Sequence, residues 1–137
     1  MSFDPYLFFS GTCKEAFNKY QQIFGGEVFV MTNAEAPDGG MPGGAPDLVI
    51  HAALTLENGR MLMASDDPSG DGSGTKGVSI SYTAKDEGDA KRVFDALSEG
   101  GEVTGALQET FFSPSFGTCT DRWGIAWMVN TEAPAQP

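Results

Sequence analysis

The sequence predicts an α+β protein built from two tandem strand–helix–strand–strand–strand units. Three observations predict it. The tetrapeptide Gly-Gly-Glu-Val stands at 25–28 and again at 100–103. Each copy follows an apolar pattern with helical spacing and opens a strand-like run. Further on, each unit carries two apolar runs around a glycine turn, Asn58-Gly59 in the first and Trp123-Gly124 in the second. One tetrapeptide can recur by chance. The same order of elements recurring around it makes duplication the better reading.

The first unit is placed at 4–66. "PYLFFS" (5–10) is aromatic-rich and predicts a strand. Thr12 and Glu15 fit a capping box, in which each side chain bonds the other's backbone N–H. Cys13, Ala16, Phe17, Tyr20 and Phe24 then follow on one helical face, and Gly25 supplies the residue that ends helices in a left-handed conformation. "EVFVMT" resumes as a strand, and "LVIHAALTL" (48–56) and "RMLMAS" (60–65) form a hairpin.

The second unit is placed at 77–131. "VSISYTA" (78–84) alternates apolar and polar residues. Asp86 caps a helix carrying Ala90, Val93, Phe94 and Leu97, which Gly100 ends. "EVTGAL", then "FGTCTDR" and "IAWMVN", complete the set. The hairpin glycines lie 65 positions apart and the Gly-Gly pairs 75; the loop "NAEAPDGGMPGGAPD" (33–47) accounts for most of the difference. Residues 132–137 read as a flexible tail.

Bulk properties narrow the function. With 137 residues and 40% hydrophobic content, the chain has the size and composition of a globular protein, either one compact domain or two small halves sharing a core. A formal charge of −11 argues against nucleic acid and anionic membranes as partners, since both select basic surfaces. Two cysteines do not make a secreted disulfide scaffold, and "MSFDPYLFFS" lacks the basic and apolar regions of a signal peptide. A cytoplasmic protein is the expectation.

The doubled unit resembles the vicinal oxygen chelate superfamily, which includes glyoxalase I, bleomycin-resistance proteins and extradiol dioxygenases. "AFNKYQQIFGG" (16–26) is similar to that group's helix end and "DRWGIAWMV" (121–129) to its hairpin. "PYLFFSGTCKEAFNKYQQIFGGEV", "HAALTLENGRMLMASDD" and "FFSPSFGTCTDRWGIAWMVN" resemble its PhnB-like branch, often labelled 3-demethylubiquinone-9 3-methyltransferase. The resemblance implies one glyoxalase-like domain over 1–137, with curved mixed sheets forming a cup, and a homodimer.

Metal-dependent members hold a divalent ion with His or Glu from the first and last strands of each unit. Carried over, those positions fall on Pro5, Met63, Ser79 and Met128. Pro5 offers no donor, and thioethers are poor ligands for such metals. No metal or other cofactor is therefore expected. The same register turns Leu7, Phe9, Met61, Met63, Ser65, Ser79, Ser81, Ala126, Met128 and Asn130 into the cup. Two-residue hairpin turns would add Leu54 opposite Met63, Cys119 opposite Met128, and Asp121. Val78, Ile80, Tyr82, Trp127 and Val129 would pack under the helices.

His51 is the only histidine. A two-residue turn at Asn58-Gly59 places it opposite Asp66 on the helix side, securing the sheet; a three-residue turn reverses its face. Cys119 is a candidate nucleophile, but with no His or Lys set beside it, it reads as a small hydrophobe. Cys13 belongs to the core stripe. "GSGTKG" (72–77) matches a dinucleotide fingerprint, yet a strand rather than a helix is expected after it, so it reads as a loop. Met41 in "PDGGMPGGAP" is a candidate lid over the cup, but a plain mobile loop is the favoured reading.

The function these features favour is metal-free binding of an unidentified small molecule. An enzyme is the alternative, either a methyltransferase following the branch's label or a metal-dependent lyase or dioxygenase. A filled cup serving as a dimerising partner for another protein is a third reading.

Overall fold

The computed structural model describes residues 3–37, 44–70 and 72–132. The chain divides into two compact units, Met1–Ser73 and Gly74–Pro137. The first contains β1 (Tyr6–Phe9), α1 (Cys13–Phe24), β2 (Glu27–Thr32), β3 (Val49–Thr55) and β4 (Met61–Asp66). The second contains β5 (Ile80–Ala84), α2 (Glu87–Ser98), β6 (Glu102–Gln108), β7 (Phe116–Thr120) and β8 (Ala126–Thr131). The doubled order read from the sequence is the observed order.

Each unit forms an open four-stranded mixed sheet, ordered β1-β4-β3-β2 in the first and β5-β8-β7-β6 in the second. The first strand of each unit runs parallel to the last, and the remaining pairs are antiparallel. One helix covers one face of each sheet. Helix α1 buries Cys13, Ala16, Phe17, Tyr20 and Ile23, and α2 buries Ala90, Val93, Phe94 and Leu97. Residues three and four apart share a helix face, so each set forms one stripe against its sheet.

The repeated Gly-Gly pair has a physical cause. Gly25 and Gly100 both take a φ of 76°, the left-handed geometry that reverses the chain after a helix. At the next position a side chain has no room: a Cβ on Gly26 would collide with the Thr55 carbonyl oxygen, and one on Gly101 with that of Thr120. The two carbonyls are themselves 65 positions apart, the spacing of the hairpin glycines.

The helix starts differ from each other. Asp86 caps α2 as expected, its Oδ1 accepting from the Asp89 N–H at 2.7 Å. The Thr12–Glu15 capping box expected at α1 is not formed, and Thr12 makes no side-chain cap. A tertiary cap replaces it. Asp66, at the end of β4, accepts from the N–H groups of Gly11 and Cys13 through Oδ1 and from that of Val49 through Oδ2. A sequence window of four residues cannot contain a cap 53 positions away.

Both hairpins carry three-residue loops, not two. Leu56 N–H donates to the Arg60 carbonyl and Gly59 N–H to that of Leu56, each at 2.9 Å. In the second unit Asp121 N–H donates to the Ile125 carbonyl and Gly124 N–H to that of Asp121, again at 2.9 Å. The glycine closes each loop with a positive φ of 83° or 85°. The extra residue sets Ala53 opposite Met63 and Cys119 opposite Trp127. Val78 lies before β5 and is 66% exposed, rather than packing under α2.

Candidate binding faces

Pairing register and burial divide each sheet into a face under its helix and a face turned away from it. In the first unit Tyr6, Phe8, Phe29, His51, Ala53, Met61, Met63 and Ser65 share the outer parity. Met61, Met63 and Ser65 lie there as the sequence implied. Leu7 and Phe9 do not. Both are buried, and Phe9 meets Phe17 of α1 edge-on at 6.2 Å. Their neighbours Tyr6 and Phe8 take the outer positions instead, so the ligand position carried onto Pro5 was one residue off. Leu54 pairs with Leu62 and is 2% exposed, also under the helix, because the hairpin loop is one residue longer.

The same extra residue turns His51 outward. Its imidazole lies 6.1 Å from the Tyr6 ring and 6.4 Å from the Phe29 ring, and Tyr6 stands 5.3 Å from Phe8. The result is an aromatic, thioether and imidazole surface drawn from four strands. Sequence reasoning missed Tyr6, Phe8 and Phe29. "YLFF" is apolar on both parities and gives no sign of which side faces out. The signal that could have placed His51 was Gly59 as the third loop residue, the left-handed position of a three-residue hairpin.

In the second unit the register was read correctly from β5. Ser81, Met128 and Asn130, with Ala126, face away from α2, and Ser79 is exposed just before the strand. Thr83 donates to Asn130 Oδ1 at 3.1 Å, and Thr104 to Thr118 Oγ1 at 2.9 Å. This face is rich in hydroxyls where the first is rich in rings. Cys119 and Asp121 are corrections. Thr118, not Cys119, stands opposite Met128. Cys119 is buried beneath α2, and burial pushes its thiol pKa up, with the Asp121 charge adding to the effect and the Ser98 hydroxyl opposing it. Asp121 is 3% exposed and serves the fold: it accepts from the Trp123 and Ile125 N–H groups and from Trp127 Nε1.

Burial, aided by the Asp66 charge, raises the Cys13 thiol to about 12. Neither thiol is poised as a nucleophile. "GSGTKG" leads into β5, not a helix. Met41 lies outside the described residues, as does 133–137 of the tail.

The divalent-metal site of the metal-dependent relatives does not fit these residues. The outer positions of the last strands hold the Met63 and Met128 thioethers, and those of the first strands hold Tyr6 and Ser81. Among the described residues no three His, Cys, Asp or Glu side chains are grouped to hold a metal ion. No described helix is long and apolar enough to cross a membrane.

Two strand–helix–three-strand units with open mixed sheets define a glyoxalase-like α+β protein. A glyoxylase/bleomycin resistance protein/dioxygenase domain from Frankia sp. EAN1pec shares this fold, at TM-score 0.65 and 15% identity, over 97% of this chain and 98% of that one. The chain belongs to the 3-demethylubiquinone-9 3-methyltransferase family, whose profile matches residues 1–130. It is 33% identical to Protein YjdN of Escherichia coli K12 over 95% of both chains. The crystal structure of PA1353 from Pseudomonas aeruginosa is similar at TM-score 0.87 and 42% identity, covering 96% of this chain and 98% of that one. A putative 3-demethylubiquinone-9 3-methyltransferase, PhnB protein, from Bacillus cereus follows at TM-score 0.78 and 27% identity, over 96% and 99%.

Proposed function

We propose that the protein binds a small organic molecule on its outer sheet faces and does so without a divalent metal. The observation that carries this reading is the first unit's outer face. Three aromatic rings 39–60% exposed stand there, two of them beside His51, while the helix side of the same sheet holds a filled core. Exposed rings gathered on one surface cost solvation and are retained where something covers them. Protein purified without a histidine tag or chelator, examined by native mass spectrometry and elemental analysis, tests it. A co-purified organic mass with no stoichiometric metal supports the reading; one metal ion per unit overturns it. The same spectrum reports whether the chain is the homodimer that the family resemblance implies.

A second reading has one observation behind it, the family's description as 3-demethylubiquinone-9 3-methyltransferase. A methyl donor would then have to bind. Calorimetric titration with S-adenosylmethionine separates the two: saturable binding followed by methyl transfer to a phenol would put the enzyme first. Against it stands the want of a strand, glycine loop and helix in succession at "GSGTKG". A cytoplasmic site of action belongs to the same proposal and is tested by cell fractionation.

A further inference from the structure

We propose that the outer face of the first sheet takes a planar organic cation, seated against Tyr6, Phe8 and Phe29. The inference rests on the binding reading above and names the ligand's class.

The shape comes from one row across the sheet. Tyr6 neighbours Met63, Met63 neighbours Ala53, and Ala53 neighbours Phe29. A methyl group therefore lies between two large side chains. Strands stand about 4.8 Å apart, so the row places its end rings about 14 Å apart at the backbone, and the His51 ring lies 6.1 Å from one and 6.4 Å from the other. Ala53 is 7% exposed and Ser65, beside Phe8, is 9% exposed, so both lie beneath the larger side chains of this face. The Tyr6 and His51 rings are inclined by only 30° to each other.

Charge selects the sign of that partner. Strands β1 to β4 contain no Lys or Arg. Glu27 lies on the outer parity of β2, Asp4 precedes Tyr6 by two positions, and Asp66 is turned under α1. The chain as a whole carries −11. An anion meets repulsion here and a cation attraction. Ring faces are electron-rich and attract cations directly, and the Met61 and Met63 sulfurs are polarisable.

The test titrates the intact protein at about 0.15 M salt with three probes of one shape: 1-methylquinolinium (cation), 1-methylnaphthalene (neutral) and 1-naphthoate (anion). The cation is expected to bind tightest. Phe29→Leu and Phe8→Leu, both at exposed positions, should each weaken it about two- to five-fold, the factor an exposed cation–π contact implies. Equal or tighter binding of naphthoate overturns the inference, as does cation binding unchanged in both Phe variants. If no probe binds while a non-aromatic mass co-purifies, the ligand class is wrong and the binding reading stands. If nothing binds and nothing co-purifies, both fall.

Discussion

Asp66 Oδ1 accepts the backbone N–H of Cys13 at 3.0 Å and so caps, from the end of the last strand, the helix that follows the first. The same carboxylate holds the N–H groups of Gly11 and Val49. Asp66→Ala leaves three donors without their partner. Each orphaned buried donor costs about 1–3 kcal/mol, less where water reaches it. A loss of about 3 kcal/mol is expected in urea unfolding. Asp66→Asn keeps one acceptor oxygen and should lose about half as much. An Asn variant as weak as the Ala variant would mean that charge, not acceptor count, holds the helix start.

Gly101→Ala and Gly26→Ala test the repeated glycines. In each, the new methyl group meets a backbone carbonyl, which cannot swing aside as a flexible side chain can. Overpacking of this kind costs typically about 1–3 kcal/mol, and Gly26 adds a positive φ of 85°. Gly26→Ala should therefore be the worse of the two. The reverse order of midpoints would show that the steric contact, not backbone conformation, dominates.

Where the sequence was legible, two periodicities agreed. In β5 Ile80 and Tyr82 alternate with Ser81 and Thr83, and the face of every residue followed correctly. In β1 Tyr6, Leu7, Phe8 and Phe9 are all apolar, so strand alternation carried no information and a one-residue offset went unseen. Hairpin parity failed for a related reason. Loops of two and three residues look alike around Asn58-Gly59, yet the difference flips Leu54 and His51 to opposite faces. The Asp66 cap was illegible because it is tertiary. Architecture was thus readable from local pattern, while the identity of the outward residues depended on register.

The pair Tyr82–Asp89 should set the pH limits of the second unit. The Tyr82 hydroxyl donates to Asp89 Oδ2 at 2.7 Å, and Arg92 Nη2 meets Oδ1 at 2.9 Å. Burial works against the Asp89 charge, but the bonds from Tyr82, Arg92 and the Lys85 N–H outweigh it and hold its pKa below the usual carboxylate range. Burial, then the bond to Asp89 and its charge, raise Tyr82 to about 12. A depressed acid contributes stability above its unfolded value and loses it as pH falls; a raised phenol contributes below about pH 10 and loses it by about pH 12. Tyr82→Phe should cost about 1 kcal/mol at neutral pH and flatten the alkaline fall measured by unfolding at pH 9, 10 and 11. A residual slope remains from Cys13 and Cys119, which both shift in the same direction. An unchanged alkaline slope would mean that Tyr82 ionises freely in the folded state.

The buried thiols report which part of the chain opens. Cys13 is 0% and Cys119 1% exposed, and both are held protonated by burial. A thiol reagent such as Ellman's should leave both untouched at pH 8 and modify both in denaturant. Reaction in native buffer then requires opening, and its rate follows the population of the open form. Asp66→Ala frees the start of α1, where Cys13 is the first residue. Cys13 should react at least about 10-fold faster in that variant, the factor that about 1.4 kcal/mol supplies. Cys119 belongs to the other unit, so it should change less. Equal acceleration of the two thiols, read by peptide mass spectrometry, would show that the duplicated units unfold as one cooperative body. A faster Cys13 alone would show that each kept a core able to open by itself.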